Sequence, residues 1–180
     1  AESALKLEKP ADHVALTKGA TTGETFTFEG WVFPEQTQST QPQVLIAGAK
    51  SGANAGGLSL LVVAQTRIRV DFGSGQGDKF TSKSMLTPNT WNHVAVTFDG
   101  AAFRFYIGGN LRDKIDLAVN DETTTKPVLF FGAAQNSFKG TLDEIRLWNR
   151  VRSGRELQAD LHQRLTGLEP GLAGYWRFDE

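Results

Sequence analysis

Residues 90–111 read TWNHVAVTFDGAAFRFYIGGNL. Two short runs within them, HVAVTF and FRFYI, are β-branched and aromatic. They alternate with a period of two, the spacing of side chains on opposite faces of a strand. Asp99 and Gly100 separate the runs, and Gly108, Gly109 and Asn110 follow the second. Such residues accept the backbone conformations that close a tight turn. Trp91, Phe98, Phe103 and Phe105 therefore belong to adjacent antiparallel strands, and the stretch is a β-meander.

The same period extends in both directions. TFTFEGWVF (25–33) alternates, with Phe26, Phe28 and Trp31 as its bulky members. GLSLLVV (57–63), TRIRVDF (66–72) and VLFFG (128–132) are further short runs bounded by Gly, Asn, Asp or Pro. About a dozen such strands, with turns at roughly 8–12-residue spacing, predict a β-sandwich or barrel. One helix interrupts the pattern. SGRELQADLHQRL (153–165) opens on Ser153 with Glu156 three residues on, the pairing of a capping box. Leu157, Leu161 and Leu165 form one apolar stripe, and Gly167 and Pro170 are the expected stops. This helix is expected to pack against an edge or end of the sandwich, and AGYWRFD (173–179) to supply the last strand.

Composition narrows the function classes. The 180 residues fit one domain spanning 1–180, long enough to bury a core. With 19 basic and 20 acidic side chains the formal charge is −1, which points away from nucleic acid and from anionic membranes. There is no cysteine, so disulfides and thiolate metal sites are excluded. No apolar run approaches the roughly 20 residues of a membrane-spanning helix. The final YWRFDE is still apolar-periodic, from which we expect a domain cut from a longer protein, with that protein's other domains as neighbours.

GTLDEIRLWNR (140–150) poses a specific question. Regular alternation puts Thr141, Asp143, Ile145 and Leu147 on one face, and Leu142, Glu144, Arg146 and Trp148 on the other. Asp143 is then aimed at the core with Ile145 and Leu147. A buried carboxylate needs a partner, a hydrogen bond or a metal. Its neighbour Glu144 would face away, so the two could not flank one substrate. Trp31, Trp91, Trp148 and Trp176 all lie in strand-like stretches and are read as core aromatics. Arg146 and Glu144, two apart on one face, are placed to pair.

Enzyme signatures are missing. The sequence has no G-x-S-x-G elbow, no H-E-x-x-H helix and no Walker loop. His13, His93 and His162 lack ligand spacing, and His93 reads as a structural residue. Asp121 and Glu122 sit in a polar run, NDETTTK, and read as solvated. GSGQGDK (73–79) is Gly-rich but no helix follows to hold a phosphate.

Taken together, FTFEGWVFP, TWNHVAVTFDGAAFRFYIGGNL, LFFGAAQNSFKGTLDEIRLWNR and LAGYWRFDE resemble the laminin-G-like, concanavalin A-like jelly-roll domains, a superfamily of lectins, pentraxins, adhesive modules and laminarinase-type glucanases. The resemblance implies an all-β fold, a two-sheet antiparallel β-sandwich (jelly roll), with one short helix near the C-terminus. Laminarinase-type members carry E-x-D-x-x-E, which this chain lacks, so the resemblance implies a non-catalytic module. It also implies a structural Ca2+ held by Asp143 with backbone carbonyls of Gly30 and of Lys9 or Pro10. The other reading of Asp143 is a carboxylate satisfied by backbone N–H groups or by an arginine. Ligand contacts are expected from loops rimming the concave face, around 50–57, 73–79 and 133–138, with Asn54, Gln135 and Asn136 as candidates by resemblance to pentraxins and Asp78 as a further candidate in the Gly-rich loop 73–79. The expected role is recognition of glycan or of an extracellular protein, in an extracellular or cell-surface setting and without membrane insertion. The alternative is a structural or oligomerisation spacer.

Overall fold

The computed structural model of the chain describes residues 3–48, 58–72, 78–117 and 127–179. Thirteen strands and one helix run through them, in two antiparallel sheets. The seven-stranded sheet contains β1 (Leu5–Leu7), β3 (Phe26–Pro34), β8 (Asn92–Phe98), β9 (Ala102–Ile107), β10 (Asn110–Asp116), β12 (Gly140–Trp148) and β13 (Leu172–Trp176). Their order is β1-β12-β3-β8-β9-β10, and β13 also pairs with β12. The six-stranded sheet contains β2 (His13–Thr21), β4 (Gln43–Ala47), β5 (Ser59–Val63), β6 (Arg67–Phe72), β7 (Asp78–Thr81) and β11 (Pro127–Gly132), in the order β2-β11-β4-β5-β6-β7. This is the expected sandwich, and the 90–111 meander forms β8, β9 and the start of β10.

Period-two patterning builds the core. Phe26, Phe28 and Val32 of β3 point inward with Val94, Val96 and Phe98 of β8 and Phe103 and Phe105 of β9. They meet Leu60, Val62, Ile68, Val70 and Phe72 from the other sheet. Phe26, Phe72, Phe98 and Phe103 lie in mutual contact, with centroids 4.7 to 6.5 Å apart. Each fully buried ring of this kind contributes about 1.5–3 kcal/mol through removal from water. Among the described residues, no helix is long and apolar enough to cross a membrane.

Alternation fails in β12, and the failure corrects the reading of Asp143. Asp143 pairs with Trp31 and Arg146 with Glu29, so two residues, Glu144 and Ile145, stand opposite Gly30 alone. This is a β-bulge, which inserts one residue and shifts the facing of all that follow. Glu144 takes the left-handed conformation that makes the bulge, with φ of +50°. Leu142 consequently enters the core with Ile145 and Leu147. Asp143 turns to the outer face, where Arg146 and Trp148 also point. The predicted core carboxylate does not exist at this position.

Gly30 makes room for the bulge. A Cβ there would stand 2.3 Å from Ile145 Cδ1 and 3.3 Å from Ile145 Cα.

The helix, α1 (Gly154–Ala159), begins as read. Ser153 Oγ accepts from the Glu156 backbone N–H at 3.2 Å, and Glu156 accepts from Ser153 N–H at 2.8 Å. It ends well before Gly167, because carbonyls beyond it turn to partners on the sheet, as described below. Only Leu157 of the predicted stripe is fully buried, against Ala95 and Tyr106. The helix therefore lies on the outer face of the seven-stranded sheet rather than at an edge. Gly109, at φ +77°, admits it: a Cβ there would meet Gln158 Cγ at 2.3 Å.

Gly30→Ala is expected to overpack the bulge and lower stability by about 1–3 kcal/mol, read as a fall in the urea midpoint. An unchanged midpoint would show that Ile145 turns aside without cost.

Candidate functional site

The outer face of the seven-stranded sheet carries a fully buried carboxylate. Glu29 sits on β3 in the alternate set Thr27, Glu29, Trp31, opposite the core set. One oxygen, Oε2, accepts from Trp148 Nε1 and from the Arg152 guanidinium, both at 2.9 Å. The other, Oε1, lies 3.3 Å from Arg146 and 3.5 Å from His93 Nε2. Burial alone pushes the Glu29 carboxyl up, but the hydrogen bonds from His93 and Arg152 outweigh it and hold the group below its ordinary 4.5. The Arg152 guanidinium also lies over the Trp148 ring, 4.2 Å from its centroid, and pairs with Asp160. Thr27 completes the attachment: its hydroxyl donates to the Arg150 carbonyl at 2.8 Å and accepts from Arg152 N–H at 2.9 Å.

Arg146 reaches past Glu29 to the segment that follows α1. It donates to the carbonyls of Asp160, at 3.1 Å, and Gln163. Trp31 Nε1 donates to the Leu161 carbonyl at 3.2 Å. These bonds draw residues 160–163 out of helical continuation and lay them over the sheet as a roof. Tyr175 of β13 steadies the near side. Its hydroxyl donates to Glu144 and accepts from Leu165 N–H, and burial together with the Glu144 hydrogen bond raises its pKa.

Between roof and sheet is a cleft of about 440 Å³, lined by Trp31, Trp91, Asp143, Glu144 and Arg146 from the sheet side. Leu161, His162, Gln163, Arg164 and Asp179 line the rest. His162 stacks on Trp31, with centroids 5.5 Å apart and planes 28° apart. Trp91 precedes β8 and rests edge-on against Phe33, 5.5 Å away. It is 42% exposed, which corrects its reading as a core residue. Trp148 is buried, Trp176 packs against Phe131, and Trp31 is half-buried. The bulge also overturns the expectation that Asp143 and Glu144 diverge, since both line this cleft.

The predicted site residues separate. Asp143 Oδ1 accepts from Glu144 N–H at 2.8 Å, as its non-metal reading allows. Lys9 and Pro10 line a different hollow, with Asn136. The Lys9 carbonyl accepts from Asp12 N–H at 3.0 Å, and the Pro10 carbonyl from Ser137 N–H at 2.9 Å. Asp143 thus lines the cleft while Lys9 and Pro10 line the other hollow, and among the described residues no group of three His, Cys, Asp or Glu converges. Gln135 and Asn136 are exposed beside β11, and the Asn136 carbonyl accepts from Val44 N–H at 2.8 Å. Asp78 opens β7 opposite Phe72. Asn54, the rest of loops 50–57 and 73–77, Asp121 and Glu122 lie outside the described residues.

Glu29, Arg152 and the roof were missed in the sequence. The available signal was Glu29 itself, a charge in mid-strand between Phe28 and Trp31, together with arginines at 146, 150 and 152.

The profile described as the concanavalin A-like lectin/glucanases superfamily matches residues 8–158. The chain belongs to that superfamily. Among solved structures, this lectin/glucanase-type domain is similar to a candidate carbohydrate-binding protein of Bacteroides ovatus, with a TM-score of 0.70 and 18% identity. The similarity covers 99% of this chain and 52% of that one. It is also similar to a heptameric SAP-like pentraxin of Limulus polyphemus, with a TM-score of 0.66 and 10% identity over 99% of this chain and 91% of that one. At these identities the likeness is one of fold. Pappalysin-1 of Mus musculus is 28% identical over 83 residues, 43% of this chain. The matched region spans only 5% of that protein's length.

Within this superfamily member, Glu29→Gln leaves two buried guanidinium groups short of a counter-charge, and about 3 kcal/mol or more of stability should be lost at neutral pH. Because the folded-state pKa of Glu29 is depressed, its contribution is present above the unfolded value of 4.5 and is lost as pH falls through the lower folded value. The urea-midpoint gap between wild type and Glu29→Gln should therefore hold near neutrality and close in acid. A gap that widens in acid would contradict the assignment.

Proposed function

We propose that this domain is a non-catalytic carbohydrate-binding module of an extracellular or cell-surface protein, with glycan seated in the cleft between Trp91 and the roof. The carrying observation is Trp91: a large indole, 42% exposed, fixed by Phe33 at the mouth of a polar cleft. An aromatic face of this kind takes the apolar side of a sugar ring, and convergent polar groups take its hydroxyls. Gln163, His162 and Asp143 supply amide, imidazole and carboxylate groups around it. The extracellular setting rests on the superfamily alone.

Hydrolysis is the less favoured reading. It needs two carboxyl groups on either side of the scissile bond, about 5–9.5 Å apart. Asp143 and Glu144 are neighbours on one strand and share one wall. Glu144 is also engaged by Tyr175 and, at 3.4 Å, by Arg146. Asp179 is paired with Arg164 and Arg177. The arrangement supports holding a sugar rather than cleaving it.

Trp91→Ala should abolish glycan binding on an array while the protein stays folded, with a modest fall in melting temperature from the lost contact with Phe33. A ligand that binds Trp91→Ala as well as wild type would place recognition elsewhere, with the 133–138 loop next to be tested through Asn136→Ala. If no glycan binds wild type, the structural-spacer alternative gains ground.

A further inference from the structure

Two indoles line the cleft, and they differ in access. Trp91 shows its ring to solvent. Trp31 is half-buried and fixed on several sides. Its Nε1 donates to the Leu161 carbonyl at 3.2 Å, and His93 meets it edge-on with ring centroids 5.2 Å apart. His162 comes down from the roof and stacks on it, with 5.5 Å between centroids and 28° between planes. Trp31 pairs with His93 across β3 and β8, so Trp91, two residues before His93, is its diagonal neighbour on the same face. Diagonal neighbours of a strand pair stand roughly 7–8 Å apart, within reach of aromatic side chains. Two linked sugar rings could rest on the two indoles if Trp31 were uncovered. Arg146 holds the backbone on either side of His162 through the carbonyls of Asp160 and Gln163. A fixed frame thus presents the imidazole to Trp31, while the His162 residue itself is exposed.

We infer that His162 is a specificity residue of the cleft: by covering Trp31 it leaves Trp91 as the open stacking platform, so that the domain recognises a single sugar ring rather than a run of linked rings. The inference rests on the reading of the cleft as a glycan site. The imidazole lies ring on ring with Trp31, which is the contact a second sugar would need. A second sugar must therefore displace it, and exchanging one stack for another gives little net gain. Removing the imidazole turns that exchange into a new contact. Trp91 and its support on Phe33 are untouched by the change.

The test titrates the whole chain calorimetrically with methyl glycosides of glucose, galactose, mannose and N-acetylglucosamine and with the disaccharide of each series. The readout is the ratio of disaccharide to monosaccharide affinity in the series that binds. Wild type should give a ratio close to one. His162→Ala should raise the ratio about two- to twelvefold, the worth of one aromatic contact. His162→Phe puts a ring back over Trp31 and should keep the wild-type ratio, even where loss of the imidazole nitrogens weakens both sugars alike. A second measurement needs no sugar. In a Trp91→Phe background, acrylamide should quench the tryptophan emission more in His162→Ala than in His162→Phe, because Trp31 is uncovered. A wild-type ratio of about ten or more, a ratio unmoved in His162→Ala or raised equally in His162→Phe, or equal quenching of the two variants overturns the inference while leaving the glycan site standing. Absence of any Trp91-dependent binding, on the array or in the titrations, overturns both.

Discussion

A carboxylate with no access to water governs this domain. Glu29 is fully buried, and a charge in that position persists only where donors surround it. The donors come from three parts of the chain: His93 from β8, Arg146 and Trp148 from β12, and Arg152 from the segment leading into α1. Each is thereby fixed relative to β3. Such a cluster contributes little to net stability compared with an apolar replacement of the whole, because desolvation offsets the attraction. Its effect lies in position. The carboxylate and both guanidinium groups are partnered with residues 150–163 seated on the sheet, so the cluster ties the covering segment to it.

The bulge in β12 links that cluster to the cleft. Without the extra residue, Arg146 and Asp143 would point to opposite faces of the sheet. With it, Arg146 meets Glu29 while Asp143 and Glu144 open into the same hollow as Trp31. The strain of a non-glycine residue in the left-handed region, of order 1–3 kcal/mol, is tolerated because Tyr175 and Arg146 hold the Glu144 side chain.

Much of the architecture was legible in the sequence because it follows from local rules. Alternating aromatic residues in β3, β8 and β9 and Gly-rich turns at 99–100 and 108–109 fix hairpins between neighbouring strands. Ser153 and Glu156 fix the start of α1. The site was far less legible. A bulge depends on how β12 registers against β3, and neither strand shows it alone. The stop of α1 depends on Arg146 and Trp31 capturing carbonyls, so Gly167 and Pro170 looked like the terminators although the turn had come earlier. Trp91 looked like a strand residue because it adjoins HVAVTF, yet β8 starts one residue later and leaves its ring at the surface. Asn136 lines a hollow with Lys9 and Pro10, separate from the cleft lined by Asp143, a grouping across distant parts of the chain that local patterning does not reveal.

The roof is gripped through its backbone. Arg146 and Trp31 take the carbonyls of Asp160, Leu161 and Gln163, groups that every amino acid supplies. The side chains of Gln163 and Arg164 take no part in that grip, whereas His162 adds a stack on Trp31. Frame and cleft lining are thus written largely on different atoms of the same residues. The surface of the hollow can be rewritten, one side chain at a time, with the frame that presents it left in place.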